Sequence, residues 1–304
     1  MTLLTGFVAQ ILHIVLIGAA APTLIGVHRW MQARLAGRVG PPLLQPWRDL
    51  IRLHTKQTVV AEGASGMSGA APAVCAAATA IGACLVPSFA LGMIFAPFAD
   101  LLVIGGLLAL ARCSAALAAM DAGAALGGMG ASRSLLLACV AEPALLLVLF
   151  VLALSAGTLN VDLIAAMRIE TGTRWDIVLP IGLAATLLIA LAGTMPHEEL
   201  TLEFSGTDLA LIEAADALRL LVWFDMIGAM FLPFGMAPAG DGPTAWAAGL
   251  VCWLGRTLVL AAALALLNAV VGRIRLVRAA QVLCVAVLLG LLAATFLIAE
   301  TGTA

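Results

Sequence analysis

Eight stretches of the chain are each apolar for about the length a helix needs to cross a bilayer, and this constrains the fold more than any other feature. A hydrocarbon core of about 30 Å takes roughly 20 apolar residues per crossing. The stretches run about 3–27, 67–95, 98–119, 132–158, 176–195, 208–235, 244–271 and 277–299. Composition agrees: 63% of the residues are hydrophobic and 11% charged, against about 45–50% and 25% in soluble domains, and the mean hydropathy is +1.13. The expected fold is an all-α polytopic membrane protein with eight transmembrane helices, forming one membrane domain over residues 1–304. No basic residue precedes the first stretch and no clear small-residue cleavage site follows it, so it is expected to be a span rather than a signal peptide.

Basic residues set the direction of the spans. Arg29, Arg34, Arg38, Arg48, Arg52, Lys56, Arg133, Arg273, Arg275 and Arg278 all fall on one side if both termini lie on the other. Arg168 and Arg174 alone occupy opposite-side loops, while Arg112, Arg219 and Arg256 lie inside spans. Both termini are therefore expected on the outer face. Trp30, Trp175 and Trp246 fall near span ends, where indoles favour the headgroup layer. A net charge of −2 argues against an electrostatic nucleic-acid binder.

Two inner-face segments stand apart. Residues 45–59 follow the chain-breaking Gly40-Pro41-Pro42 and carry Leu50, Ile51 and Leu53 among Arg48, Asp49, Arg52 and Lys56. That pattern is too polar to span and fits a short amphipathic helix at the interface, where binding of anionic lipid is one reading. Residues 195–207 form an acidic loop holding His197, Glu198, Glu199 and Glu203. It reads equally well as a proton entry antenna or as a contact surface for a basic partner. Ser205 and Asp208 have the spacing of a helix start.

Ionisable groups within a bilayer are costly and need a partner, water or a function. Glu142 precedes Pro143 in the fourth span, and proline frees the carbonyl one turn back, at Cys139. The kink expected there could hold water beside the carboxyl group, or Glu142 could be a neutral acid bonded to a neighbouring helix. In the sixth span Asp208, Glu213, Asp216 and Arg219 occupy one helical arc of roughly 140°. Trp223 lies on the same side, whereas Asp225 points away and lies nearer the outer surface. Asp216 and Arg219 are three residues apart and can pair. Three carboxylates with one arginine exceed simple pairing, so the arc is a candidate for proton uptake, with a structural ion-pair network as the alternative.

Several signals point to ordinary packing. The six cysteines form no CxxC and no His/Cys cluster, so neither a zinc nor an iron–sulfur ligand set is expected. His13 sits mid-span without a second intramembrane histidine and reads as a hydrogen-bonded interior residue. Gly127-Gly128-Met129-Gly130 lacks the lysine and spacing of a phosphate loop and reads as a tight inner turn.

Three motifs, in order along the chain, carry a family resemblance. The segment Ala33-Arg34-Leu35-Ala36-Gly37-Arg38-Val39-Gly40-Pro41-Pro42-Leu43-Leu44-Gln45-Pro46-Trp47-Arg48-Asp49-Leu50 resembles the first inner loop of the complex I H-subunit superfamily. Gly127-Gly128-Met129-Gly130-Ala131-Ser132-Arg133 with Ala141-Glu142-Pro143-Ala144-Leu145 resembles the membrane subunit of group 4 energy-converting hydrogenases, the hydrogenase-4 and formate hydrogenlyase branch. His197-Glu198, Leu202-Glu203-Phe204-Ser205-Gly206 and Leu209-Ala210-Leu211-Ile212-Glu213 are similar to the same branch.

The resemblance implies eight spans with outer termini and a subunit without a redox centre or metal of its own. It implies partners: an iron–sulfur small subunit, a hydrogenase-type large subunit holding a nickel–iron centre, and antiporter-like membrane subunits, in a bacterial or archaeal cytoplasmic membrane. Arg34, Arg38, Gly40, Pro41, Gln45, Arg48, Asp49, His197 and Glu198 become candidates for docking the peripheral arm. Glu142, Glu203, Glu213 and Asp216, with Arg133 and Arg219, become candidates for a charged path, and Asp121 and Asp208 for its inner mouth. One departure is that Gly193-Thr194-Met195-Pro196 runs directly into His197, where members of the branch carry a longer, more acidic stretch. The function expected is membrane anchoring and ion coupling in a hydrogenase-type complex. The rival is a quinone-site role in a complex I-like dehydrogenase, which requires a tunnel between span one, the amphipathic helix and the loop before span six. A free-standing ion carrier is the third reading, but the paired broken helices of such transporters are absent from the sequence.

Overall fold

Long Leu-, Ala- and Val-rich runs punctuated by Gly/Pro-containing links form helices almost throughout the computed structural model, which describes residues 3–61, 63–171, 178–193, 198–238, 241–271 and 276–302. The helices are α1 (Leu3–Leu35), α2 (Gln45–His54), α3 (Gly66–Leu85), α4 (Leu101–Asp121), α5 (Ala125–Ala156), α6 (Val161–Thr171), α7 (Val178–Gly193), α8 (Glu198–Thr201), α9 (Gly206–Phe231), α10 (Pro243–Val271) and α11 (Leu276–Gly302). Six of them, α1, α3, α4, α5, α10 and α11, are long and apolar enough to cross a membrane. Among the described residues extended pairing is confined to two isolated bridges, Ala90 with Ala237 and Asp100 with Asn160.

The centre of the bundle is α9, which packs against α1, α2, α3, α6, α7 and α10. Every residue from Arg219 to Phe231 is buried, as expected of a helix enclosed on all sides by others. Its first half is different in character, carrying Asp208, Glu213 and Asp216 toward the end of the bundle where α2 lies. That end is termed the α2 end, and the opposite one the far end. α1 is about 50 Å long at 1.5 Å per residue, and its last turns extend beyond the apolar stretch to carry Arg29 and Arg34.

Several boundaries differ from the sequence reading. The second apolar stretch does not continue as helix to residue 95: α3 stops at Leu85, and residues 86–100 form a folded link with one short 3-10 turn at Ala96–Phe98. Its backbone bonds to the segment after α9 through Leu91 N–H to Ala237 O (2.9 Å) and Ala237 N–H to Phe89 O (2.9 Å). Helix α5 begins at Ala125, so Gly127-Gly128-Met129-Gly130 is its first turns and not a tight turn. The reversal lies just before it, at Gly123, where φ is +70°. Helix α5 also runs continuously through Pro143.

Between α5 and α7, where a loop is expected from the sequence, α6 forms. Asn160 Oδ1 caps its start by accepting from Asp162 N–H at 3.0 Å. The Asp162 carboxylate accepts from Gly92 N–H at 3.0 and 3.2 Å, fastening α6 to the link that follows α3. Burial raises the Asp162 pKa, while the Gly92 hydrogen bonds pull the other way.

Candidate functional site

Helix α2 is apolar on one side only, and it lies against α1 and α9 with Leu53 buried. Two close approaches hold its approach segment in place. A Cβ at Gly26 of α1 would run into the Leu43 carbonyl, and one at Gly40 would meet Trp30 Cδ1 at 2.9 Å. Beneath α2 is a cavity of about 250 Å³. Pro22 and Arg29 of α1, Pro46 and Asp49 of α2, and Glu213 and Asp216 of α9 are among its walls. Two acids of the expected arc therefore open into the space between span one and the amphipathic helix.

One turn deeper, Asp216 Oδ1 bonds Arg219 Nη1 at 2.9 Å. Arg219 is 6% exposed, its Nε has no hydrogen-bond partner, and it lies against the buried Cys75 thiol of α3. Arg112 of α4 approaches this pair. It stands within Coulombic range of Arg219, Asp216 and, on α5, Glu142. Its Nε is likewise buried without a partner. Glu142 is half-buried. Sequence spacing assigns Arg112 no role because no acid sits one helical turn from it on its own helix. Its neighbours come from α5 and α9.

The other acids of the expected path act nearer the α2 end. Glu203 Oε1 accepts from Gly127 N–H at 3.0 Å, satisfying a free amide at the start of α5, and a Cβ at Gly127 would collide with the Glu203 side chain. Asp121 caps α3: one carboxylate oxygen accepts from Ser65 N–H at 2.9 Å and Ser68 Oγ–H at 2.6 Å. Asp208 borders a small cleft with Val59, Glu203 and Ser205. Ser205 precedes α9 as expected, yet its hydroxyl bonds no amide of that helix. It accepts from Val59 N–H at 2.7 Å and donates to Val59 O at 3.0 Å, strapping residues 56–61 across the start of α9. Arg133 is exposed on α5.

Of the docking candidates, Arg34, Arg38 and Arg48 are exposed at the α2 end and Pro41, Gln45 and Asp49 are half-buried. Arg34 stacks over Trp30 at 5.3 Å. Asp49 accepts from Gln45 Nε2 at 3.1 Å and pairs with Arg52 at 3.2 Å. His197 and the Gly193–Pro196 departure fall largely outside the described residues, which resume at Glu198.

Toward the far end, Asp225 corrects the sequence reading. It does not point to the surface but is 2% exposed, accepting from Trp253 Nε1 of α10 at 2.6 Å. Beside it Arg256 donates to the Ser88 carbonyl at 2.8 Å and the Leu232 carbonyl at 3.2 Å. The Ser88 hydroxyl meets His13 Nδ1 at 2.7 Å, while His13 Nε2 lies 3.1 Å from the Ala83 carbonyl. A carbonyl only accepts, so Nε2 carries the proton and Nδ1 accepts from Ser88. His13 is an interior hydrogen-bonded residue, as its isolation implies. Gly228 is the available signal for this cluster: a Cβ there would strike Arg256.

This arrangement defines a multi-pass helical membrane protein with buried charges on its central helix and a cavity beneath an interfacial helix. A family model described as NADH dehydrogenase matches residues 8–299, and the chain belongs to that family, the complex I H-subunit-like family. It is 32% identical over 227 residues to hydrogenase-4 component C of Escherichia coli (strain K12), covering 71% of this chain and 72% of that protein. It is 30% identical over 237 residues to formate hydrogenlyase subunit 4 of the same organism, covering 71% and 75%. A chain of the membrane-bound sulfane sulfur reductase, an archaeal respiratory membrane complex, superposes with a TM-score of 0.80 at 20% identity, covering 95% of this chain and 99% of that one. That likeness establishes the fold.

Proposed function

We propose that this chain is the membrane-anchoring and ion-coupling subunit of a multisubunit energy-converting hydrogenase-type complex. In this reading α1, α3, α4, α5, α7, α9, α10 and α11 cross the cytoplasmic membrane of a bacterium or archaeon, with both termini on the outer face and α2 on the inner one. The exposed Arg34, Arg38 and Arg48, with Gly40, Pro41, Gln45, Asp49, His197 and Glu198, receive the iron–sulfur small subunit and the large subunit. Those partners carry the iron–sulfur clusters and the nickel–iron centre, and antiporter-like subunits lie alongside in the membrane. Glu213, Asp216, Arg219 and Glu142 lead from the docking side into the bundle, with Glu203, Arg133, Asp121 and Asp208 at its mouth. Redox free energy then moves protons or sodium ions by biasing the charge state of these acids.

The observation that carries this reading is the cavity under α2, whose wall includes Glu213 and Asp216, with Asp216 paired to a deeply buried Arg219. Its test is the assembled complex in sealed vesicles. Glu142→Gln and Glu213→Gln are expected to abolish ion movement while electron transfer to soluble acceptors continues. Unchanged ion movement in both variants overturns the reading.

The same cavity favours a second reading, a quinone-site role in a complex I-like dehydrogenase. Its volume of about 250 Å³ falls just below the usual range of about 300–1,000 Å³ for small-molecule sites, so it would seat a headgroup and not a whole tailed molecule. Leu50→Trp, which fills it from α2, is expected to abolish quinone-linked activity under this reading. Inhibition by quinone-site compounds in the wild-type complex, lost in this variant, would decide for it.

A further inference from the structure

Helix α6 is built inside out. Its Asp162 is buried and accepts from Gly92 N–H, and Arg168 is half-buried, while Leu163, Met167 and Ile169 are exposed. The exposed charge of the helix, Glu170, stands in its last turn. A surface helix bordered by water shows the opposite arrangement, with polar residues outward and apolar ones toward the core. The inward face of α6 is apolar as well, since Val161, Ile164 and Ala165 join the core that holds the buried half of α9. Both faces of α6 therefore suit apolar surroundings.

The 3-10 turn at Ala96–Phe98 repeats this pattern, and α6 lies against it. Asn160 Nδ2 donates to the Ala96 carbonyl at 2.8 Å, and Val161 N–H to the Ala99 carbonyl at 2.8 Å, so the two elements form one platform. Asp100 is half-buried, and its Oδ1 accepts from Leu102 N–H at 2.8 Å at the start of α4. Ile94, Phe95 and Phe98 are exposed instead, Phe98 to 67%. Leaving a large apolar side chain in water forgoes about 1.5–3 kcal/mol, and soluble surfaces rarely group several of them together.

The depth of the platform is set by the spans that meet it. Helix α4 begins at Leu101 and α5 ends at Ala156, so the platform marks the far end of both. With 11 residues, α6 is about 16 Å long, too short to cross a hydrocarbon core of about 30 Å. Exposed apolar side chains lead away from the platform along the spans, Leu102 and Val103 on α4 and Leu154 and Phe150 on α5. The lipid-facing surface of a multi-pass protein thus runs on to α6 and the turn.

We propose that α6 and residues 94–98 form an interfacial foot embedded in the leaflet at the far end, with Leu163, Phe95 and Phe98 among acyl chains just below the headgroups. The occupant of this surface is lipid. The foot is a counterpart of α2 at the other end of the bundle, with different chemistry. Helix α2 exposes Arg48 and Arg52, whereas the cation of the foot, Arg168, is half-buried. The foot therefore requires no anionic headgroup, and neutral phosphatidylcholine suffices. This placement holds whether or not the chain couples ions.

The test uses the assembled complex in phosphatidylcholine vesicles. The exposed Cys139, Cys252 and Cys284 are replaced by alanine. A nitroxide is then attached at Phe98→Cys, at Leu163→Cys and, to report the aqueous phase at the same end, at Asp241→Cys, whose position is exposed. Collisions are measured with oxygen, which enters acyl chains, and with a polar nickel chelate, which does not. The oxygen-to-nickel ratio at Phe98→Cys and Leu163→Cys is expected to exceed that at Asp241→Cys by at least about tenfold, given the cost of moving a polar solute into hydrocarbon. Nickel collisions as frequent as at Asp241→Cys place the foot in water and overturn the proposal. Exclusion of both reagents places it beneath a partner subunit and overturns it equally.

A second measurement needs no substitution and decides even where a variant fails to assemble. The wild-type complex is irradiated in vesicles containing phosphatidylcholine with a diazirine on its acyl chain, and the labelled residues are mapped by mass spectrometry. Labels are expected within residues 94–98 and 163–169. Labels on the spans with none on the foot overturn the proposal.

Discussion

Asp216 and Arg219 are bonded at 2.9 Å one turn apart on α9, and they are unequal partners. The arginine side chain is 7% exposed and the aspartate 38%, because the acid opens into the cavity beneath α2 while the guanidinium is driven inward against α3. Removing the acid strands the buried cation. Asp216→Asn is expected to cost about 1–3 kcal/mol, less than the several kcal/mol of a fully enclosed pair because water already reaches one partner. Asp216→Asn/Arg219→Met should recover most of that loss. Thermal unfolding of the full chain in mild detergent measures both, and an Asp216→Asn transition equal to that of the wild type would remove the pair from the account of stability.

Glu203 has two separable roles, and one substitution distinguishes them. Its Oε1 accepts from Gly127 N–H at 3.0 Å, which a glutamine oxygen can do equally well. Glu203→Gln is therefore expected to leave stability within about 0.5 kcal/mol, while Glu203→Ala loses about 1 kcal/mol with the cap. Gly127→Ala should destabilise too, since its methyl group meets the Glu203 side chain. If Glu203 belongs to the ion path as well as to the cap, Glu203→Gln lowers ion movement despite its normal unfolding. Normal ion movement assigns it to the cap alone.

The far-end cluster depends on the absence of one methyl group. Arg256 crosses the α9 backbone at Gly228 to reach the carbonyls of Leu232 and Ser88. Gly228→Ala would normally stabilise a helix interior by about 0.5–1 kcal/mol. Here it is expected to destabilise by about 2 kcal/mol or more, because it displaces a buried cation from its acceptors. The sign is the test. A gain in thermal stability would mean that Arg256 relocates without loss.

What is legible in the chain alone divides according to where the partners come from. The acidic arc of α9 is legible because Glu213, Asp216 and Arg219 recur on one helix with its own period. The amphipathic α2 is legible for the same reason, and the family from three local motifs. Asp225 escapes such a reading because period alone places it off that arc. The groups that enclose it, Trp253 and Arg256, sit about 30 residues away on α10, and no local pattern encodes how α9 and α10 meet. The glycine run before Arg133 has the composition of a turn, whereas its smallness answers to Glu203, some 76 residues on. Arg112 poses the same problem, since no acid lies one turn from it on α4 and the charged groups nearest it belong to other helices. The link at residues 86–100 is apolar and so resembles part of a span. Its backbone instead finds partners in the segment after α9, with Val86 to Leu91 buried and Ile94, Phe95 and Phe98 exposed, so hydropathy misjudges its shape.

Asp162 gives a prediction in pH. It is buried where α6 meets the link after α3, and burial raises its pKa. A carboxyl group whose pKa is higher in the folded than in the unfolded chain binds more protons when folded, so its ionisation favours unfolding. The penalty is absent below the ordinary carboxylate range, where both states are protonated. It grows as pH rises through the unfolded value and is complete above the folded one. Asp162→Asn keeps an oxygen to accept from Gly92 N–H and has nothing to ionise. The stability of this variant relative to wild type is therefore expected to increase from acid toward neutral pH. Chemical unfolding of both chains across that range measures the difference. A relative loss on the same path would mean that the two Gly92 hydrogen bonds stabilise the charged form by more than burial penalises it, and that the folded pKa lies below the unfolded one.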